Sequence, residues 1–160
     1  MILRIIAVGK LKEKYWQKGV EEYASRLRPY VRLEIVEVPE VRTQEGASRS
    51  MKEDVMEQEA RAILEILGKT ETLAVALDRK GKPLDSEELA KFLELQILEG
   101  RKGVTWIIGG PLGLAPSVIE RADLVLSFSR LTFPHQMMRL ILLEQIYRSF
   151  RIMRHEPYHR

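Results

Sequence analysis

The sequence predicts an α/β fold, a mostly parallel five- to six-stranded sheet with helices on both faces. Two observations carry this prediction: short β-branched apolar runs alternate with helical stretches along the whole chain, and the first run, Ile2–Val8, is almost unbroken. A nearly continuous apolar strand is typical of a parallel sheet that is covered on both sides. With 160 residues, 45% of them hydrophobic, and no internal repeat or linker, we expect one domain over residues 1–160.

Five strands are predicted from their apolar runs. The second, "VRLEIVEV", alternates apolar and charged residues and should expose one face, whereas the third, "TLAVAL", is followed by "DRKGKP", which is typical of a turn. The predicted strands are Ile2–Val8, 31–38, 72–77, Gly103–Ile108 and 124–128.

Helices are predicted between these strands from apolar residues that recur every three or four positions. In the third helix Asp85 is the expected N-cap, with Glu88 three residues later as in a capping box, and the helix should end near Gly100. The segment 39–47, which is rich in charge, is expected to be a loop. The other predicted helices are Lys14–Leu27, 48–67, 116–122 and 134–153.

Charge and cysteine content narrow the function classes. The chain has no cysteine, which excludes disulfides, thiolate metal sites and a cysteine nucleophile. The net charge of +3 lies entirely in the tail, because residues 148–160 hold four arginines and one glutamate while the rest balances at 22 basic and 22 acidic side chains. Together with His155, Tyr158 and His159, this patch suits RNA contacts or, equally, a solvated helix end. No signal peptide or apolar run of about 18 residues is found, so we expect a cytoplasmic protein with no membrane partner.

Four loops follow the carboxyl ends of the predicted strands, where ligands of open parallel sheets bind. They contain "GKLKEK", "LDRKGK", "GGPLG" and "SFSRLTF". None of them has the spacing of a dinucleotide fingerprint or a P-loop, no G-x-S-x-G nucleophile elbow occurs, and the three histidines form no metal-ligand pattern. We therefore predict a ligand pocket at this edge of the sheet and no metal.

The last helix carries apolar side chains on two sides, with Arg139 inside the apolar arc. Such a helix is either central in the fold or shared with a second subunit, and we favour a homodimer. A guanidinium on an apolar face needs a partner. Arg139 could reach the ligand loop of a second subunit, or pair with a carboxylate such as Asp123 or Glu144.

Three segments then carry a resemblance that extends over essentially the whole chain. "AVGKLKEKYW", "IGGPLGL" and "LSFSRLTFPHQMMRLILLEQIYRSFRIMRHEPYHR" resemble the bacterial ribosomal RNA large subunit methyltransferase H family, within the SPOUT class of S-adenosylmethionine-dependent methyltransferases. The resemblance implies a SPOUT-type α/β fold with a C-terminal trefoil knot, a homodimer, and methylation of N3 of a pseudouridine in 23S rRNA on assembled ribosomes. Periodicity alone would not have suggested a knot.

The resemblance also implies which residues bind S-adenosylmethionine. Adenine needs apolar walls and backbone hydrogen bonds, and the loops that follow strands three, four and five can provide both. The residues implied are Leu77, Gly109, Phe128, Ser129, Arg130, Leu131, Thr132 and Phe133.

Methylation at N3 of a uracil-type base requires removal of a proton, by a base or with help from a cation that stabilises the anion. Candidate bases are His135, His155 and His159, and candidate cations are Arg139, Arg154 and Arg160. Tyr158 could stack on a nucleobase, and the resemblance favours the tail "EPYHR" for positioning the RNA. His135 could equally be a residue that helps to cap the last helix.

Two alternatives remain at this point. The chain could be a non-catalytic ribosome-binding factor that uses its basic tail alone, or an enzyme acting on a small nucleotide without need of residues 156–160. Transfer of a labelled methyl group to ribosomes would separate both from an RNA methyltransferase.

Overall fold

The predicted α/β class is confirmed by a computed structural model, which describes residues 1–158. Five strands form one sheet in the order β2-β1-β4-β3-β5, and every neighbouring pair is parallel. β2 and β5 are therefore the edge strands. The strands are β1 Ile2–Val8, β2 Arg32–Val38, β3 Leu73–Pro83, β4 Gly103–Ile108 and β5 Leu124–Ser127.

Five helices cover the two faces of the sheet in unequal layers. Three helices, α1, α3 and α5, pack on one face, and α2 with α4 packs on the other. Asp85 caps α3 and completes a capping box with Glu88, as predicted. The helices are α1 Lys14–Leu27, α2 Arg49–Gly68, α3 Ser86–Leu98, α4 Pro116–Arg121 and α5 His135–Met153. Within residues 1–158 no helix is both long and apolar enough to cross a membrane.

β1 is buried on both faces, which confirms what its unbroken apolar run predicts. Leu3, Ile5 and Ala7 face the core under α1, α3 and α5, while Ile6 and Val8 face the core under α2 and α4. A central strand that contributes to both cores holds the two helix layers on one sheet.

The predicted turn after the third strand is wrong. "DRKGKP" continues β3 to Pro83, and an irregularity between Leu77 and Lys82 lets the strand resume pairing with β5. A Cβ atom at Gly81 would lie 2.6 Å from the backbone carbon of Leu126, so only glycine permits this approach of the two strands. Pairing with a distant strand overrides the local turn signal here.

α5 is the central helix of its layer. It packs between α1 and α3, and α1 comes so close that a Cβ atom at Gly19 would lie 2.9 Å from Leu140. One apolar side of α5 is thus covered within the chain, whereas Met137, Ile141 and Ile152 on its outer side belong to neither core and stay partly exposed. The homodimer stays a prediction, and so does the knot.

Arg139 ties α5 to the ends of two strands. Its side chain is 1% exposed, and its guanidinium lies 2.6 Å from a carboxylate oxygen of Glu37 in β2. It also donates to the backbone carbonyls of Val8, at 3.1 Å, and Gly9. The ion-pair partner is thus Glu37. The expected pairing with Asp123 or Glu144 is wrong.

Replacing Arg139 by methionine should lower the free energy of unfolding by about 3 kcal/mol, because two buried carbonyls lose their donor and Glu37 loses its partner. Urea denaturation would measure this loss. Arg26→Met is the matched control, since Arg26 pairs with Glu22 at the surface and its loss should barely move the midpoint. Equal midpoints for the two variants would contradict the structural role of Arg139.

Candidate functional site

A cavity of about 390 Å³ lies at the carboxyl ends of β3, β4 and β5. Seven of the eight predicted donor-binding residues line it, and Arg130 belongs to the same loop without being part of the lining. The cavity therefore occupies the edge of the sheet that the loop argument selected. The predicted residues that line it are Leu77, Gly109, Phe128, Ser129, Leu131, Thr132 and Phe133.

The floor of the cavity is a tight loop after β4. Gly113 donates to the carbonyl of Gly110 at 3.0 Å and has a φ of +88°, a backbone conformation that favours glycine. A Cβ atom at Gly109 would lie 2.7 Å from the carbonyl carbon of Gly113. Glycine at position 109 is thus required by the fold of the loop itself, in addition to allowing close approach of a ligand.

One wall is the loop 128–133, which hydroxyl groups hold in shape. The Ser127 hydroxyl donates to the carbonyl of Ser129 at 3.0 Å, and the Ser129 hydroxyl accepts from the amide of Leu131 at 3.0 Å. Arg79 donates to the Thr132 hydroxyl at 3.2 Å. The loop is thereby bent around the cavity, and it leaves Leu131 69% exposed.

Sequence reasoning missed several lining residues. Asp78, Arg79 and Lys80 were assigned to a turn, although they lie in β3 and form the side of the cavity next to Thr132. Their polar character after an apolar strand was the available signal. The loop "GGPLG" was predicted to lie at the pocket, and Gly110, Pro111, Leu112 and Gly113 of that loop line it; the lining residues that were not predicted are Ile108, Leu126 and Met138.

His135 lies where the cavity wall joins the first turn of α5. Its Nε2 atom is buried, hydrogen-bonds to no residue within 1–158, and lies 3.8 Å from a carboxylate oxygen of Glu40. Burial lowers the pKa of His135, Glu40 opposes this effect, and the cations Arg139 and Lys12 add to it. The imidazole is therefore neutral near pH 7, and one of the two nitrogens of a neutral imidazole can accept a proton. Pro134, and not His135, occupies the N-cap position of α5, and no side chain makes a cap hydrogen bond there.

Arg139 and the tail residues up to Tyr158 do not line this cavity. The guanidinium of Arg154 stacks over the ring of Tyr30 at 4.5 Å. The hydroxyl of Tyr158 lies 3.2 Å from that of Tyr23 and donates to Glu144 at 3.2 Å. Burial, the hydrogen bond with Tyr23 and the charge of Glu144 together raise the pKa of Tyr158. His159 and Arg160 lie outside the described residues.

Up to Tyr158, the tail therefore docks on its own chain, away from its own cavity. Tyr158 contacts Glu144, which follows His135 by nine residues of α5. At about 1.5 Å of rise per residue, these two helix positions are roughly 13 Å apart along the axis. His135 and Glu144, the residue that Tyr158 contacts, thus lie at separate positions along α5.

The cavity combines an apolar part that suits a flat, neutral ring with charged side chains at the end of β3. Leu77, Phe128 and Phe133 supply apolar surface, and the backbone groups around Gly109 supply hydrogen-bond partners. Its volume is within the range of small-molecule sites, so an adenosine-type donor fits the residues present. Residues 1–158 contain no group of three or more histidine and carboxylate side chains placed to hold a metal.

Comparisons with known proteins agree with this geometry. The family described as "Predicted SPOUT methyltransferase" matches residues 1–159. A ribosomal RNA large subunit methyltransferase H from Carboxydothermus hydrogenoformans is 50% identical over the full length of both chains. The protein of the same name from Moorella thermoacetica is 51% identical over 99% of this chain and 98% of its own.

Solved structures show the same fold at low sequence identity. A probable methyltransferase from Bordetella pertussis has a TM-score of 0.56 at 15% identity and covers 92% of this chain and 95% of its own. A probable methylase family protein from Haemophilus influenzae has a TM-score of 0.53 at 7% identity, over 99% of this chain and 70% of its own. With a family match over nearly all residues and relatives at half identity, this chain belongs to the SPOUT methyltransferase family.

Proposed function

We propose that this protein uses S-adenosylmethionine to methylate N3 of a pseudouridine in 23S rRNA on assembled ribosomes. It would act as a cytoplasmic homodimer of single-domain subunits, each spanning residues 1–160. The observation that carries the proposal is the cavity at the ends of β3, β4 and β5, in a chain whose half-identical relatives are named ribosomal RNA large subunit methyltransferase H.

The donor would be held by the two loops that form the cavity. Leu77, Leu131 and Phe133 would pack on the adenine, and the backbone around Gly109 would hydrogen-bond to its edge. When bound, S-adenosylmethionine supplies a methyl group that its sulfonium has already activated. The hydroxyls of Ser129 and Thr132 are bound to Leu131 and Arg79, so they act by shaping the wall.

For the acceptor, we assign to His135 the removal of the proton from N3. Its ring is neutral near pH 7, so one ring nitrogen can accept a proton, and its Nε2 atom is buried at the cavity wall and free of hydrogen bonds to residues 1–158. Such a group can take the proton as N3 attacks the methyl carbon. Arg139, whose donors are engaged by Glu37 and the β1 carbonyls, would position His135 from four residues along α5.

The tail would serve the cavity of the other subunit. Within one chain Tyr158 contacts Glu144 in the middle of α5, whereas the cavity lies at the start of that helix. A dimer through the outer side of α5 would let Arg154, Tyr158 and His159 approach the partner's donor site and position the RNA.

Transfer of label tests the activity directly. Ribosomes that lack the modification would be incubated with methyl-labelled donor and the purified protein, and the labelled nucleoside would be identified after digestion. Label in a pseudouridine of 23S rRNA is the expected result. Binding to ribosomes without any transfer would instead support a non-catalytic ribosome-binding factor.

Leu131→Ala should weaken donor binding about tenfold, since an exposed leucine that closes on a ligand contributes roughly 1.5 kcal/mol. Isothermal titration with S-adenosylmethionine would measure the Kd. Leu98→Ala is a matched control, because Leu98 is 76% exposed on α3 and lies outside the cavity. Equal Kd values for the two variants would remove Leu131 from the donor site.

His135→Gln should lower kcat by about 10²- to 10⁴-fold while leaving donor binding intact, because the base is lost. Burial lowers the pKa of His135 from 6.5, so the wild-type rate should be constant around pH 7 and fall only as the pH drops below that value. The variant should lack this fall. A matching loss in His155→Gln, with His135→Gln active, would assign the proton to the tail.

Mixed dimers test the shared site. One subunit would carry Gly109→Val, which damages the donor loop, and the other would end at His155. If the tail serves the partner's cavity, each parent dimer is inactive and the mixed dimer, with one complete site of two, recovers about half of the activity. No recovery would mean that each tail serves its own subunit. Sedimentation of the wild-type protein as a stable monomer at micromolar concentration would exclude the dimer.

A further inference from the structure

A second cavity of about 380 Å³ lies at the carboxyl ends of β1 and β2, on the other side of the first turn of α5. It is bordered by the loop that contains "GKLKEK", a sequence feature to which the donor site gives no role. The lining residues are Gly9, Lys10, Lys12, Glu37, Val38, Pro39, Glu40 and Arg42.

The lining also contains two carboxylates, Glu37 and Glu40. Glu37 forms the ion pair with Arg139. Glu40 lies 3.8 Å from His135 Nε2, and it packs so closely on Gly9 that a Cβ atom there would lie 2.6 Å from a Glu40 oxygen. Glu37 is therefore neutralised by Arg139, whereas Glu40 keeps its charge beside a neutral His135, so the three cations of the same cavity exceed its uncompensated carboxylate by two.

The three cations are Lys10, Lys12 and Arg42, and all are exposed. Within residues 1–158 none of them forms an ion pair. The residues before the tail have equal numbers of acidic and basic side chains, so their total charge does not reveal this local excess of positive charge. The fold produces the excess by bringing the three cations to one cavity. An opening with three unpaired cations favours an anionic ligand.

The loops that carry these cations are fixed next to the donor cavity. The amide of Lys12 donates to Gln136 in the first turn of α5 at 2.9 Å. The amide of Val41, next to Arg42, donates at 2.9 Å to Glu59, a buried residue of α2 that also lies under Gly110 of the donor loop. His135 lines one cavity and faces Glu40 in the other. The two cavities are thus neighbours that share the start of α5.

We propose that the second cavity binds the phosphate backbone of the RNA beside the target nucleotide. The inference rests on the proposed function, because it requires that a nucleotide enters the donor cavity. Consecutive phosphates follow the nucleotide at short intervals, and lysine and arginine at such positions fix the register of RNA without reading its sequence. Lys10, Lys12 and Arg42 would take these phosphates, while the tail would hold the opposite side of the stem-loop.

The test compares two double variants that lose the same charge. Lys10→Ala with Arg42→Ala removes two cations from the cavity, and Lys52→Ala with Lys91→Ala removes two exposed lysines from α2 and α3. Methylation of unmodified ribosomes would be measured at saturating donor, together with the Kd for S-adenosylmethionine. Affinity for ribosomes would also be followed as the salt concentration is raised.

The cavity variant should raise the KM for ribosomes about tenfold while kcat and the donor Kd change less than about twofold. Its affinity should depend less steeply on salt, by about 1.4 in the slope of log K against log salt, since two phosphate contacts to single-stranded RNA are lost. The difference in ribosome affinity between the cavity variant and the wild-type protein should therefore decrease as the salt concentration rises. Glutamate in place of alanine at position 42 (Lys10→Ala with Arg42→Glu) should give a further increase in KM, and the helix variant should behave as wild type.

Three results would overturn the inference. These are an unchanged KM in the cavity variant, an equal increase in the helix variant, and a weaker donor Kd in place of a higher KM. Failure of the wild-type protein to transfer label would instead refute the proposed function. The two failures are therefore distinguishable in one set of measurements.

Discussion

The arrangement of both cavities depends on the buried guanidinium of Arg139. A charge removed from water must be compensated by a well-placed counterion and acceptors, and here a carboxylate of β2 and two carbonyls at the end of β1 provide them. These partners fix the start of α5 relative to the sheet. The loop 128–133 leads directly into that helix, so the same contact sets the position of His135 and of the wall that precedes it.

Patterns within a short stretch of sequence were sufficient to predict the elements that interactions between neighbouring residues determine. The unbroken run of β1, the alternation of β2 and the capping box at Asp85 each predicted an element that the structure confirms. The donor cavity could be located in outline for a similar reason, because parallel strands bring the loops at their carboxyl ends to one edge. Its proposed ligand could not be inferred this way and follows from the resemblance.

Contacts between residues distant in sequence could not be predicted. The extension of β3 through Gly81 depends on pairing with β5, and the partner of Arg139 is 102 residues away in the chain. Tyr158 illustrates the same difficulty, since an aromatic residue in a basic tail suggested an open stacking platform. Its hydroxyl is instead bound to Tyr23 and Glu144, and its ring has the Arg148 guanidinium 4.8 Å from its centre. No pattern along the sequence encodes which distant groups become neighbours.

The position of β2 at the edge of the sheet has a consequence for solubility. An edge strand offers unpaired amides and carbonyls to any other extended chain, and seven residues are enough to start such pairing. β2 carries Arg32, Glu34 and Glu37 among its apolar residues, and Glu34 is bound to Arg4 of the neighbouring strand at 2.8 Å. An incoming strand would have to desolvate these charges. The alternation that marks β2 as a half-exposed strand thus also protects the sheet from growing into aggregates.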